Sequence, residues 1–154
     1  MKRINAMILI ITLILSIICV PRIEGKAADL EEPIDGSYLI EDDYSKGEAI
    51  NITRGVYLKS GTSSIAKAGT GKITAGGRTV GQSVVSTISV MVRVDRLVNG
   101  SWTVYTSWTT TKSNAAMVSS SKTLSVPTGY YYRVYCIHKA ETDKSGSFTD
   151  GIYI

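Results

Sequence analysis

Apolar and polar residues alternate with a period of two along most of the chain from residue 55 onward. This alternation is typical of strands that bury one face. The region is rich in Val, Ile, Thr and Tyr, which favour strands, and contains a single proline, Pro127. The pattern predicts strands at Val56–Ser60, Ser64–Ala68, Lys72–Ala75, Ser83–Leu97, Trp102–Thr111, Ala116–Val126, Tyr130–Ala140 and Phe148–Ile154.

We therefore expect an all-β fold for residues 55–154, an antiparallel β-sandwich of the immunoglobulin-like type or a related one. Turns are predicted at the glycine-containing segments GTGK, AGGRTVG, VNGS, PTG and DKSG. The roughly 127 residues that follow residue 27 are enough for one domain with its own hydrophobic core.

The pair Asn99-Gly100 marks the tip of a predicted hairpin. Asn-Gly normally forms a two-residue turn, but that register pairs Asp95 with Val104 and mixes polar with apolar positions. A three-residue loop ending at Gly100 would instead pair Val94 with Val104 and keep the apolar residues on one face. We expect the three-residue loop.

The sequence Ser-Trp-Thr occurs twice, around Trp102 and Trp108. Their even spacing predicts that both indoles lie on one face of a strand. Trp108 is expected in the core, because large aromatic side chains mostly fill cores. Trp102 is expected at the hairpin end, opposite Arg96 and within reach of a cation–π contact. The alternative is a platform on which both rings stack against a glycan.

The first residues have the pattern of a secretory signal peptide. Two basic residues precede an apolar run, Ala6–Val20, which is shorter than the roughly 20 residues of a membrane span. Small residues at Gly25 and Ala27 predict cleavage after Ala27. Residues 1–27 are therefore expected to form a signal-peptide helix that directs the protein out of the cell, where it is secreted.

Two other interpretations of the first residues remain open. In one, Cys19 is the lipid anchor of a lipoprotein, although Ile18 stands where a small residue is needed. In the other, the apolar run stays uncleaved and anchors the chain in the membrane.

Charge is distributed unevenly along the chain. Residues 1–27 contain four basic and one acidic residue, so the mature chain has 13 bases and 12 acids, and its composition indicates no nucleic-acid partner. Between Asp29 and Glu48 there are eight acids and one base, and from Ala49 onward four acids and twelve bases. We interpret residues 28–54 as an acidic spacer, partly disordered. The alternative is that this segment lies across the basic body or acts as a pro-segment.

Cys136 and His138 are the residues of the body best suited to chemistry. A nucleophilic thiol needs a base within hydrogen-bond reach, but residues two apart on one strand point away in parallel, ~7 Å apart at Cα. A single histidine also excludes a multi-histidine metal site. We expect both side chains to fill the core, and we predict no catalytic residue, no metal site and no cofactor.

The odd-numbered face of the predicted strand Tyr130–Ala140 carries Tyr131 and Tyr135 beside two bases, and we expect this face to point outward. Aromatic and basic side chains at a surface are suited to ligand contacts. The candidate ligand-binding residues are these two tyrosines, Tyr131 and Tyr135, together with Trp102 and Arg96 at the predicted hairpin end.

The segment LSVPTGYYYRV, Leu124–Val134, resembles the tyrosine corner of fibronectin type III and immunoglobulin-like sandwiches. That resemblance implies that the Tyr130 hydroxyl bonds to backbone upstream of it.

A broader resemblance covers residues 55–139. The signal peptide, the acidic spacer and the segments GVYLKSGTSSIAKAGTGKI, TVGQSVVSTISVMVRVDRLVNGSW, TTTKSNAAMVSSSKTLSV and GYYYRVYCIHKA are similar to a family of small, uncharacterised secreted proteins of Gram-positive bacteria. The resemblance implies secretion and a β-rich domain, and it assigns no activity or site residue.

These observations predict a non-enzymatic extracellular or cell-surface interaction protein. Its basic body would be held near an anionic cell-wall polymer or a glycan, with no nucleic-acid partner and no membrane contact beyond the signal peptide. A carbohydrate-binding module, a secreted toxin or bacteriocin-like protein, and a hydrolase are the alternatives.

Overall fold

A computed structural model describes residues 33–49 and 55–154. The signal-peptide helix predicted for residues 1–27 lies outside these ranges. Among the described residues there is no helix with the length and apolar character that a membrane span requires. The strands are β1 (Leu39–Ile40), β2 (Tyr44–Glu48), β3 (Leu58–Lys67), β4 (Lys72–Val98), β5 (Ser101–Ser125), β6 (Tyr131–Ala140), β7 (Asp143–Phe148) and β8 (Gly151–Tyr153).

All eight strands belong to one hydrogen-bonded sheet, which curls into a half-barrel. The strand order is β1-β8-β6-β4-β3-β2, with β5 beside β4 and β7 beside β6. The sheet is mixed, because β1 and β8 run parallel while the other pairs are antiparallel. The predicted all-β class is confirmed, whereas a sandwich of two separate antiparallel sheets is not.

The hairpin of β4 and β5 bends near its middle and so gives the sheet two facing layers. The register between the strands shifts between Val80 and Val85. The bend brings the halves of β4 together, since the Thr79 hydroxyl donates a 3.0 Å hydrogen bond to the carbonyl of Ser89. We call β2, β3 and the adjoining halves of β4 and β5 the first layer, and the remainder the second layer.

Several predicted strands are continuous in the structure. Each of β3, β4 and β5 spans two of them, and β7 occupies a segment predicted as a loop. The segment AGGRTVG lies inside β4 and forms no turn. A Cβ on Gly77 would lie 2.5 Å from Sγ of Cys136 and 2.9 Å from a methyl carbon of Val90, both in the second layer. Glycine is therefore needed here for close approach of the layers.

Asn99 and Gly100 form a two-residue turn at the hairpin tip. Both residues have positive φ, 51° and 76°, as a type I′ turn requires, and Val98 pairs with Ser101. The predicted three-residue loop is wrong. Val104 lies opposite Asp95 instead of the predicted Val94, and a β-bulge in which Tyr105 is the extra residue of β5 then places Trp108 opposite Val92.

The bulge at Tyr105 places the two tryptophans on opposite faces of the sheet. Trp102 pairs with Leu97 before the bulge, and Trp108 pairs with Val92 after it. Val92 faces the core, so Trp108 packs partly buried against the core, as predicted. Trp102 lies on the outer face. The predicted common face is wrong because one inserted residue reverses the alternation.

The core lies between the two layers and is filled mainly by aliphatic side chains. Their removal from water is the main source of stability. The largest buried apolar residues are Leu58, Ile65, Ile73, Ile88, Val90, Val92, Val94, Val118, Tyr132, Val134 and Ile152.

Residues 33–49 of the segment interpreted as a spacer belong to the same sheet. β2 pairs with β3, and β1 pairs with β8. A tight turn, Ile34–Ser37, precedes β1. The carboxylate of Asp43 also forms a 2.6 Å ion pair with Lys67 of β3. The described part of the segment therefore belongs to the folded domain.

Candidate functional site

His138 lies in a closed polar network between the two layers. Its Nδ1 is 2.8 Å from the Thr79 hydroxyl, and its Nε2 is 2.8 Å from the Ser147 hydroxyl. Because Thr79 donates its only proton to the carbonyl of Ser89, it accepts from Nδ1–H, and Nε2 accepts from Ser147. Burial lowers the pKa of His138 to about 4, so the ring is neutral at pH 7.

Cys136 is equally enclosed and chemically quiet. Its thiol lies 3.7 Å from the carbonyl oxygen of Gly76. Burial raises its pKa to about 12, whereas a reactive cysteine needs a lowered pKa and exposure. Cys136 and His138 both fill the core, as predicted.

Asp95 and Arg133 form a buried ion pair on the outer face of the second layer. Nε of Arg133 lies 3.4 Å from Oδ2 of Asp95, and Arg93 binds both carboxylate oxygens, at 2.7 and 2.9 Å. Arg133 also donates 3.0 Å hydrogen bonds to the carbonyl of Asp35 and the hydroxyl of Ser37. Burial lowers the pKa of Arg133, and the charge of Asp95 opposes this shift. The cluster fixes the Ile34–Ser37 turn on the sheet.

Trp102, a predicted ligand-binding residue, is part of the same contact. Its Nε1 donates a 2.8 Å hydrogen bond to the carbonyl of Ile34. The guanidinium of Arg133 lies 4.6 Å from the ring centroid. A Cβ on Gly151 would come within 2.7 Å of the ring. Trp102 therefore packs against the protein itself, and its cation partner is Arg133, not the predicted Arg96.

Arg96, the second candidate, pairs with Thr103 and lies on the inner face of the sheet. Its guanidinium lies 4.7 Å from the ring centroid of Tyr130 and 5.8 Å from that of Tyr105. The neighbouring Tyr132 hydroxyl donates a 2.8 Å hydrogen bond to the carbonyl of Pro127. The upstream backbone contact predicted for Tyr130 is thus made by Tyr132.

Tyr135, the third candidate, lies on the outer face of the second layer, under the guanidinium of Arg93 at 4.6 Å. A small groove of about 150 Å³ lies farther along this face. Met91 and Ile137 line it together with the exposed bases Lys139 and Lys144. Bases above an apolar floor suit an anionic partner.

Tyr131, the fourth candidate, lines a cavity of about 380 Å³. A second cavity, of about 450 Å³, shares Lys67 and Tyr153 with the first. The rings of Tyr131 and Tyr153 stand edge to face, with centroids 5.1 Å apart. We call the two cavities together the tyrosine cleft; its lining includes Glu41, Asp43, Lys67, Thr128, Tyr131 and Tyr153.

The four candidates do not meet in one site. Trp102 and Tyr135 lie on the outer face, Arg96 on the inner face, and Tyr131 in the tyrosine cleft. Sequence reasoning missed Tyr153 as the partner of Tyr131. The pairing arises because β8 lies beside the first residues of β6, where Tyr131 is opposite Tyr153. Among the described residues, no group of three His, Cys, Asp or Glu side chains is placed to hold a metal ion.

Comparison with known proteins identifies the family. The model of DUF6147, a family of unknown function, matches residues 27–151. The chain belongs to DUF6147. No curated protein matches the chain. Membership of DUF6147 agrees with the predicted resemblance to an uncharacterised family, and it transfers no activity to any of the residues described above.

Proposed function

We propose that this DUF6147 protein is a secreted, non-enzymatic interaction protein that is held by charge on an anionic cell-wall polymer. Secretion is supported by the charged and apolar pattern of residues 1–27. The observation that carries the proposal is the way in which the fold uses its acids and exposes its bases.

The four acids of the basic body are engaged within the protein. Asp95 binds Arg93 and Arg133. Asp143 accepts hydrogen bonds from the amides of Tyr57 and Leu58, at 2.6 and 2.9 Å. Glu141 accepts a 3.0 Å hydrogen bond from the amide of Thr87. Asp150 accepts a 3.0 Å hydrogen bond from the amide of Tyr38.

The bases of the body are mostly turned to solvent. Seven exposed ones form no ion pair among the described residues. A patch of such bases is locally positive and attracts polyanions within a Debye length. These residues are Lys59, Lys72, Arg78, Lys112, Lys122, Lys139 and Lys144.

Lys139 and Lys144 give this surface a preferred point of contact. They lie directly opposite each other on β6 and β7. Like charges in this arrangement destabilise a sheet, so a phosphate group placed between them would relieve their repulsion. The Ile137 and Met91 side chains beside them provide an apolar floor.

The enclosed state of the reactive groups supports a non-enzymatic role. Both ring nitrogens of His138 bind hydroxyls, and burial keeps the Cys136 thiol protonated by raising its pKa to about 12. A catalytic dyad requires the thiol and the imidazole to reach each other and a substrate.

The proposal is tested by sedimentation of the protein with purified Gram-positive cell walls, with and without their phosphate polymer. We expect binding at about 20 mM NaCl that falls steeply toward 1 M, where the Debye length is about 3 Å, and that requires the polymer. Lys144→Gln should weaken binding more than Lys46→Gln, which removes an equal charge from a base paired with Glu48 at 3.1 Å. Binding that is equal at both salt concentrations would exclude the charge mechanism.

A further inference from the structure

We infer that the tyrosine cleft is a binding site for an uncharged saccharide unit. This site is distinct from the small groove of the second layer that Lys139 and Lys144 line. Its ligand would be uncharged, unlike the anionic polymer proposed above. The inference stands on the aromatic pair, on the polar groups around it, and on the way the walls of the cleft are held.

The aromatic pair offers a fixed surface for a sugar ring. Tyr153 is 47% exposed, although it contacts Tyr131 edge to face. Their planes meet at 61°, and the backbone pairing of β6 with β8 holds both residues in place. An exposed aromatic ring in a cleft is suited to stacking on the C–H face of a pyranose.

The polar groups of the cleft suit hydroxyl groups. The ammonium of Lys67 lies 2.6 Å from the carboxylate of Asp43, so a donor and an acceptor stand side by side. Lysine only donates hydrogen bonds and a carboxylate only accepts them, and two neighbouring hydroxyls of a sugar can satisfy both. Glu41 and Thr128 add an acceptor and a hydroxyl to the lining.

The charges of the cleft disfavour an anionic ligand. Asp43 neutralises Lys67, and Glu41 leaves an excess of negative charge that opposes phosphate or carboxylate ligands. This excess does not oppose a cation, so an organic ammonium ion is included in the test as the competing ligand. An uncharged, polyhydroxylated ligand avoids the penalty on anions and can use both the donor and the acceptors of the lining.

The walls of the cleft are tied together before any ligand binds. The carbonyl of Gly71 accepts a 2.9 Å hydrogen bond from the amide of Val126. The amide of Gly129 donates a 2.6 Å bond to the carbonyl of Ile154, whose own amide bonds to Tyr130 at 3.0 Å. A preformed site spends little free energy on ordering its loops. The cavities of about 450 and 380 Å³ fall in the size range of small-ligand sites.

The test is a titration of the isotope-labelled full chain with chitotetraose, cellotetraose and maltotetraose, followed by amide chemical shifts. We expect at least one of the three to shift the amides of Gly69–Gly71, Tyr131 and Tyr153. Tyr153→Ala should weaken that binding about tenfold or more. The matched control is Tyr38→Ala, since Tyr38 is 48% exposed and does not line the cleft; it should change the affinity less than about twofold.

Three results would overturn the inference: no shift at the cleft with any of the three sugars at about 10 mM, equal losses in Tyr153→Ala and Tyr38→Ala, or tighter binding of tetramethylammonium than of every sugar. Binding of an uncharged sugar should persist in about 1 M NaCl. If the protein binds a sugar at the cleft but does not bind cell walls, the charge mechanism alone is wrong. If the protein binds cell walls but binds none of the three sugars at the cleft, the saccharide site alone is wrong.

Discussion

Gly61 of β3 lies directly against the imidazole of His138 in the opposite layer. A Cβ on Gly61 would approach the ring carbons to 2.3 Å. The ring cannot move away easily, because hydroxyl groups bind both of its nitrogens.

We therefore expect Gly61→Ala to destabilise the protein by about 1–3 kcal/mol, the usual cost of overpacking a core. Urea denaturation followed by tryptophan fluorescence measures the change. Ser63→Ala, two residues along the same face of β3, is the matched control. The Ser63 hydroxyl is buried and has no hydrogen-bond partner within the described part of the chain, so its removal should be neutral or slightly stabilising. A stable Gly61→Ala variant would contradict the close approach of the layers.

His138 should make stability depend on pH between about 6.5 and 4. Burial lowers its pKa from 6.5 to about 4 in the folded protein, so the unfolded chain binds more protons in this interval. Stability is therefore highest above pH 6.5 and declines as the pH falls, by about 3 kcal/mol at pH 4.

The measurement is the free energy of unfolding against pH for the unaltered protein and for His138→Gln, whose amide keeps one donor and one acceptor. The difference between the two curves gives the contribution of the imidazole to the pH dependence, because the contribution of the carboxylates is common to both proteins. Parallel curves between pH 4 and 6.5 would show that the ring titrates normally, as would a ring-nitrogen NMR titration with a midpoint near 6.5.

Cys136 should resist alkylation in the folded protein. Its pKa is raised to about 12 and its side chain is buried, so iodoacetamide at pH 8 meets almost no accessible thiolate. We expect the reaction to be at least about 100-fold slower than in urea-unfolded protein. Peptide mass spectrometry separates Cys136 from Cys19, and rapid native labelling of Cys136 would disprove its enclosure.

Asp95→Asn should destabilise the protein by about 3 kcal/mol, because it leaves Arg133 buried beside a neutral amide. Asp95 is 1% exposed and Arg133 6%, so solvent cannot replace the lost charge. Asp42→Asn, at an exposed position, is the control and should change stability by less than about 0.5 kcal/mol. Equal effects of the two substitutions in thermal unfolding would show that the ion pair is not structural.

Local patterns in the sequence were enough to predict the strand content and the buried face of β6. Alternation over a few residues assigns a face without reference to the rest of the chain. Cys136, His138, Val134 and Tyr132 are all buried, as their shared spacing indicates. The fifth residue of this even-numbered set, Tyr130, is 37% exposed, because it precedes the start of the strand.

Features set by distant contacts were predicted poorly. The glycine-rich pattern places Gly77 in a turn, although what requires a small residue there is the close approach of Cys136 in the opposite layer. The sequence pattern did not reveal the bulge at Tyr105. A two-residue Asn-Gly turn moves the apolar residues of the two strands out of register, and one extra residue a few positions later restores the register. Local spacing alone does not distinguish this combination from a three-residue loop. Tyr153 became a cleft residue only through its pairing with Tyr131.

The parallel pairing of β1 with β8 determines how the molecule would bear a mechanical load. These strands lie near opposite ends of the described chain and join Leu39 to Gly151 and Ile40 to Ile152. A pull applied to the two ends would load both pairs in shear, so that their hydrogen bonds resist together instead of opening one after another. This clamp holds two residue pairs, whereas β4 and β5 pair along most of their length, so the clamp would yield before the hairpin is strained.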